Sequence, residues 1–243
     1  MFKECQLVGK HKETEEITSF YFQPNDGSTI YQSFKPGQFV CVRPKGLGQQ
    51  RPYSISIWAP NERIFRISVR RVEDKAQNYC GVVSNYLHRQ LQIGDKIDIC
   101  TPDGDFYLSE NDKPVTLIGA GVGITPIMTM LGALSERAPE RLDRFIYICQ
   151  DEEHLPMADD INYFLSSRKE ALVRFYTRAK EGKPEERILS GRPNIEKYTE
   201  LNLNKDSEFY ICGSIPFMNS QKELLTQLGI NESQIHVEII PSA

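Results

Sequence analysis

The chain lacks any pair of cysteines close together in sequence. Its six cysteines stand at positions 5, 41, 80, 100, 149 and 212 with no Cys-x-x-Cys, which excludes an iron–sulfur or zinc site built on local ligand pairs. Four scattered histidines add no haem or metal pattern, so no metal site is expected. Nor is there a strong charge of one sign. A net charge of −4 over 243 residues argues against nucleic acid as the main partner. Met1-Phe2-Lys3-Glu4 lacks the apolar stretch of a secretory signal, and reduced thiols in a cytoplasmic setting are the expectation. The longest apolar stretch, Pro114 to Leu134, is interrupted by glycines, an internal proline and threonines. It reads as a buried strand running through a glycine turn into a buried helix, so no membrane span is expected.

What is present suits an ordinary globular protein, with 40% hydrophobic and 26% charged residues, long enough for two lobes. The front half reads as β. Phe2–Lys10, Ile17–Gln23, Gln38–Arg43, Tyr53–Ile57, Ile64–Arg70 and Lys96–Cys100 are short and rich in Val, Ile, Phe and Tyr, and turn residues such as Pro24-Asn25-Asp26-Gly27, Pro36-Gly37 and Gly94-Asp95 separate them. That spacing suggests an antiparallel barrel or sandwich. One helix interrupts it around Ser84 to His88, with Ser84 as its expected cap. Glu110-Asn111-Asp112-Lys113-Pro114 is the expected boundary. Beyond it strands and helices alternate: Val115–Gly119, Thr125–Ser135, Phe145–Cys149, Ala158–Ser166, Val173–Thr177, Phe209–Cys212, Phe217–Leu228 and Gln234–Ile240. Alternation means a parallel sheet with crossovers. The expected fold is a two-domain one, an antiparallel β-barrel over 1–110 followed by an α/β parallel-sheet nucleotide-binding domain over 111–243.

Three segments carry chemistry. In Gly119-Ala120-Gly121-Val122-Gly123-Ile124-Thr125-Pro126 a strand feeds a glycine turn and then a helix. Glycines let backbone approach a pyrophosphate, and free amides at the helix start favour its charge. Proline in the first helical turn is tolerated. Alone, the segment also fits a tight turn with no ligand. Arg51-Pro52-Tyr53-Ser54 offers a guanidinium fork for phosphate and a ring face; alone, it is also an edge strand with an exposed arginine. Cys212-Gly213 follows a strand, and strand C-termini in open α/β sheets are where ligands bind. A cysteine there is equally a small core hydrophobe. Phe217 and Met218 read as core.

The order of these pieces resembles the ferredoxin–NADP reductase superfamily, most closely the reductase portion of bacterial flavohaemoglobins and related NADH-dependent reductases. The likeness covers essentially the whole chain. Besides the three segments it includes Pro36-Gly37-Gln38-Phe39, Val83-Ser84-Asn85-Tyr86-Leu87-His88, Pro102-Asp103-Gly104-Asp105-Phe106 and Ile235-His236-Val237-Glu238. Neither a globin nor a ferredoxin portion is expected within it. The resemblance implies FAD in the front domain. Arg51 would grip its pyrophosphate, Tyr53 would pack on the flavin ring, Ser54 would lie near flavin N5 and Phe39 near the adenine or ring edge, with Pro52 also among the FAD-binding residues. Gly81, Val83 and Ser84 would meet the FAD phosphates. In the second domain Gly121, Val122, Gly123, Ile124, Thr125 and Pro126 would cradle the nicotinamide dinucleotide, with Cys212 and Gly213 bordering the nicotinamide. Ser54, Cys212 and Glu238 would be the catalytic set, Glu238 as the acidic residue near the reaction centre.

The implied activity is an NAD(P)H-dependent, FAD-containing oxidoreductase. A hydride passes to FAD, and electrons then pass to a separate acceptor: a haem globin, a ferredoxin or another metalloprotein. A flavin reductase using free flavin as substrate, and a non-catalytic nucleotide-sensing or electron-relay subunit, are the alternatives. Gln150-Asp151-Glu152-Glu153 puts carboxylates where a ribose would sit, which accept from a 2′-hydroxyl and repel a 2′-phosphate, and so favours NADH. Arg178 and Lys180 point the other way, toward NADPH. A departure from flavohaemoglobins lies at the C-terminus. They carry Glu-Cys-Phe-Gly-Pro, whereas Glu238 is followed here by Ile239-Ile240-Pro241-Ser242. Ile240 would replace the aromatic that covers the outer flavin face, weakening stacking by ~0.5–1.5 kcal/mol. The expected outcome is partial loss of FAD on dilution. Stoichiometric flavin retained through extensive dialysis counts against it.

Overall fold

In the computed structural model, residues 1–74, 79–183 and 186–239 are described. Two compact units are found, one spanning Met1–Leu108 and a second beginning at Ser109.

The first unit starts with β1 (Phe2–Lys12) and β2 (Ile17–Pro24), followed by β3 (Phe39–Arg43), β4 (Arg51–Ser54) and β5 (Phe65–Arg70). The two-residue strands β6 (Glu73–Asp74) and β7 (Tyr79–Cys80) precede helix α1 (Val82–Arg89) and β8 (Lys96–Cys100). The long strands form one antiparallel sheet in the order β4-β3-β8-β1-β2-β5. Its two edges meet where Ile55 bridges Ile67 and the Ser56 N–H donates to the Arg66 carbonyl at 2.8 Å. The sheet therefore closes into a barrel, which removes the open edges. Leu7, Phe20, Phe22, Val40, Val42, Ile67 and Ile97 alternate inward and are fully buried.

Strand β4 begins and ends earlier than the expected Tyr53–Ile57, because after Ser54 the chain leaves β3 to close on β5. The cap of α1 differs too. Gly81, not Ser84, is the N-cap residue, and Ser84 sits in the first turn with its hydroxyl turned back to donate to the Gly81 carbonyl at 3.1 Å. Gly81 is required by space. A Cβ there would lie 2.7 Å from Ser84 Oγ and 2.9 Å from Val72 Cβ.

The second unit runs β9 (Val115–Ala120), α2 (Ile124–Arg137), β10 (Leu142–Cys149), α3 (Ala158–Phe164), β11 (Leu172–Tyr176), β12 (Ile188–Ser190), α4 (Ile195–Leu201), β13 (Glu208–Gly213), α5 (Ile215–Gln227) and β14 (Ile235–Ile239). All six strands are parallel, in the order β12-β11-β10-β9-β13-β14. Every residue of α2 from Ile124 to Leu134 is buried, as expected for a helix that is apolar all round. Among the described residues no helix is long and apolar enough to cross a membrane. Strand β12 and helix α4 were not evident from sequence. β12 is three residues at a sheet edge, and α4 is seven residues held by Asn194, whose side chain accepts from the Lys197 N–H at 3.0 Å.

At the N-terminal ends of the strands, Glu208 is buried and accepts from Lys113 and His236, both at 2.7 Å, while the His236 ring stacks on Tyr210 at 4.7 Å. Burial alone would raise the Glu208 carboxyl, but these two partners outweigh it and hold it below the ordinary 4.5. A depressed carboxyl stabilises the fold above its unfolded value, and that contribution is lost as pH falls through the folded one. Glu208→Gln is expected to lower the stability of this unit by about 1–3 kcal/mol at neutral pH. In urea titrations the deficit should close below pH 4.5; a deficit constant down to acid pH rejects this role.

Candidate functional site

In the first unit, β3 and β4 pair Phe39 with Ser54, Val40 with Tyr53, Cys41 with Pro52 and Val42 with Arg51. Phe39 is further anchored by a reciprocal backbone pair with Asp103, at 3.0 and 2.9 Å. Its ring lies on Gly104, where a Cβ would come within 2.8 Å of it and where φ is +107°; only glycine satisfies both. Arg51 is exposed. Its Nη1 donates to the adjacent Gln50 carbonyl at 2.8 Å, and among the described residues it pairs with no carboxylate. The Ser54 hydroxyl makes no hydrogen bond among the described residues. Tyr53 is half-buried, and burial pushes its phenol well above the ordinary value, so it stays neutral.

The start of α1 carries no side-chain cap. Ser84 and Asn85 turn their side chains back to the Gly81 and Val72 carbonyls, so they do not cover the amides of the first turn. A helix start left in that condition favours an anion. Phe39, Arg51, Pro52, Tyr53 and Ser54 thus fall on one strand pair, and Gly81, Val83 and Ser84 on one helix start. An exposed guanidinium, a free hydroxyl and an uncapped helix suit a phosphate-bearing aromatic cofactor.

In the second unit the chain leaves β9 in one direction for β10 and later returns to the other side as β13. The C-terminal ends of β9 and β13 therefore flank the point where strand order reverses, the usual ligand crevice of such sheets. The glycines of the turn have different tasks. Gly121 has φ +56°, and nothing lies within 4 Å of where its Cβ would be, so its surroundings are open. Gly123 is the N-cap of α2, and a Cβ on it would strike the Cys212 carbonyl oxygen at 2.3 Å. The buried Tyr147 hydroxyl donates to the Gly121 carbonyl at 2.9 Å, and Thr125 Oγ1 to the Val122 carbonyl at 2.9 Å. Sequence offers no sign of this role for Tyr147, which stands in an apolar run beside a second aromatic, Phe145. No side chain caps α2. Val122, Ile124 and Pro126 complete a turn whose open side is backbone, as a pyrophosphate requires.

Across the sheet, Gly119, Cys212 and Glu238 stand at one level, because Cys212 pairs with Gly119 on one side and Glu238 on the other. Cys212 is fully buried, and burial together with the charge of Glu238 pushes its thiol well up, so it is a neutral, apolar surface. Gly213 is crossed by Phe217, whose Cδ1 would lie 2.5 Å from a Cβ. Helix α5 begins two residues earlier than expected, at Ile215, and Met218 is core. Glu238 is half-buried, has no hydrogen-bonding or ionic partner among the described residues, and burial raises its carboxyl. Ile240 lies outside the described residues. After β10, Asp151 is held by His154, which with Arg178 lowers its carboxyl, while Glu152 and Glu153 are exposed. The Arg178 N–H donates to the Gln150 carbonyl at 2.9 Å, so this rim carries both signs.

Comparison with known proteins matches both units. Residues 4–107 match the oxidoreductase FAD-binding domain and residues 117–223 the oxidoreductase NAD-binding domain. Flavohemoproteins of Chromobacterium violaceum and Oceanobacillus iheyensis are 38% and 35% identical over 99% and 98% of this chain, which covers 61% and 59% of theirs. The chain thus spans about three-fifths of the length of the curated relatives it matches. The solved flavohem-like FAD/NAD binding domain of nitric oxide dioxygenase from Vibrio cholerae superposes with a TM-score of 0.85 at 30% identity, covering 98% of both chains. With an FAD-binding barrel followed by an NAD-binding parallel sheet, this chain belongs to the ferredoxin–NADP reductase-like family of oxidoreductases.

Proposed function

We propose that the protein takes a hydride from NADH onto FAD and delivers the electrons to a haem globin or another metalloprotein acceptor. The observation that carries this reading is the alignment of Gly119, Cys212 and Glu238 at the strand-order reversal, beside an uncapped helix start. Bound FAD would accept two electrons as hydride and release them one at a time; the protein's part is binding, orientation and electrostatics. Arg51 would pair with the FAD pyrophosphate together with the start of α1, Tyr53 and Phe39 would supply aromatic faces, and the Ser54 hydroxyl would reach toward N5. The amides from Gly121 to Pro126 would hold the dinucleotide phosphates. Neutral Cys212 and Gly213, which carries no side chain of its own, would border the nicotinamide without competing for its charge. Glu238, unpartnered among the described residues, would hold or move a proton beside the reacting rings.

Exposed Glu152 and Glu153 support NADH over NADPH, since carboxylates repel a 2′-phosphate. The flavohemoprotein relatives support a haem acceptor.

Anaerobic addition of NADH to the flavin-loaded protein is expected to bleach the flavin band at least about tenfold faster than NADPH, a difference of ~1.4 kcal/mol. Equal rates reject the cofactor preference, and no bleaching with either rejects the activity. Glu238→Gln should retain flavin and slow bleaching by at least about a hundredfold. Its melting temperature at neutral pH should hold or rise, because a desolvated, unpaired charge is removed. An unchanged bleaching rate would remove Glu238 from the site.

A further inference from the structure

Two thiols of the first unit, Cys41 and Cys100, lie close together. The register of β3 and β8 pairs Val42 with Ile99 and Arg43 with Asp98, which brings Cys41, just before Val42, beside Cys100, just after Ile99. Opposed residues of an antiparallel pair have Cα atoms about 4.5–5.5 Å apart, inside the roughly 4.4–6.8 Å that a disulfide spans. The Cys41 N–H lies 2.8 Å from Cys100 Sγ, and neither residue is fully buried. Cys5, Cys149 and Cys212 differ in being buried. Cys100 also lines a cavity of about 140 Å³ with Lys3, Gln32, Ser33 and Thr101. That is room for a few water-sized molecules at ~30 Å³ each, with polar groups along the way.

We propose that Cys41 and Cys100 form a reversible dithiol–disulfide pair, a modification site that a small hydroperoxide oxidises. Cys100 lines the cavity and its sulfur accepts the Cys41 N–H, so in this pair it is the attacking residue. Burial and the neighbouring Cys100 push the Cys41 thiol up to about 11, and Cys41 therefore stays protonated as the resolving partner. In the first step Cys100 Sγ attacks a peroxide oxygen. The O–O bond breaks, an S–O bond forms, and the departing oxygen leaves as water or an alcohol with the thiol's proton, giving a sulfenic acid. In the second, Cys41 Sγ attacks that sulfur, the S–O bond breaks, and water leaves with the Cys41 proton. Two thiols lose two electrons, and the peroxide gains them. A dithiol reductant reverses the link by exchange.

The test uses the flavin-loaded full chain and one equivalent of hydrogen peroxide, followed by thiol blocking, digestion without reduction and mass spectrometry. The expected result is a Cys41–Cys100 linked peptide, a fall of two in the chain's titratable thiols, and full recovery with dithiothreitol. Cys41→Ser, with flavin absorbance checked as a measure of folding, should trap a dimedone adduct on Cys100 and form no link. Cys100→Ser should leave Cys41 unlabelled. Blocked, unlinked Cys41 and Cys100 after peroxide, irreversible oxidation at either, or links to other cysteines or between chains would overturn the proposal. These readouts are made on thiols, so they stand or fall separately from the flavin reaction.

Discussion

The second unit depends on one close approach, the start of α2 against the end of β13. Gly123 sits so near the Cys212 carbonyl that no side chain fits between them. This approach brings a helix buried from Ile124 to Leu134 down onto the middle of the sheet with its uncapped start at the strand-order reversal. Tyr147 completes it from the neighbouring strand by holding the Gly121 carbonyl. With that carbonyl turned inward to the tyrosine, what the turn leaves open is glycine backbone and the positive end of a helix, whose dipole and amides attract anions.

The first unit reaches a comparable result by different means. Its helix α1 also starts at a glycine that cannot carry a side chain, and its polar first-turn residues bond backward rather than cap. The barrel supplies what the helix lacks. Closure through Ile55 and Ile67 fixes where β4 ends, and the reciprocal pairing of Phe39 with Asp103 fixes where β3 begins. Rigid strands thus set the spacing of the guanidinium, the phenol and the hydroxyl of Arg51, Tyr53 and Ser54. Precise positioning on regular elements is what a ring-binding site needs.

Charge is handled in opposite ways at the two ends of the parallel sheet. At the N-terminal ends Glu208 is buried but answered by Lys113 and His236, and its carboxyl is lowered. At the C-terminal ends Glu238 is partly desolvated, unanswered among the described residues, and raised. A paired carboxylate stabilises, whereas a desolvated, unpaired one costs stability. On the barrel, Cys41 and Cys100 are brought together by the pairing of distant strands rather than by any local motif.

The sequence by itself determined most of the architecture. Alternating apolar residues and turn signals gave the barrel strands, and the change to strand–glycine–helix units after residue 110 gave the parallel sheet. Those patterns are local, and local patterns are legible one residue at a time. The resemblance then named nearly every candidate site residue. What it could not show was decided by contacts between distant segments: Gly81 rather than Ser84 as the cap of α1, β4 ending at Ser54 to close the barrel, Tyr147 reaching Gly121, Glu238 level with Cys212, and Cys41 facing Cys100. The short β12 and α4 were hidden for the same reason, since a three-residue edge strand and a seven-residue helix are held by their neighbours rather than by their own periodicity. Spacing along a chain specifies which element forms; only packing specifies which side chains meet.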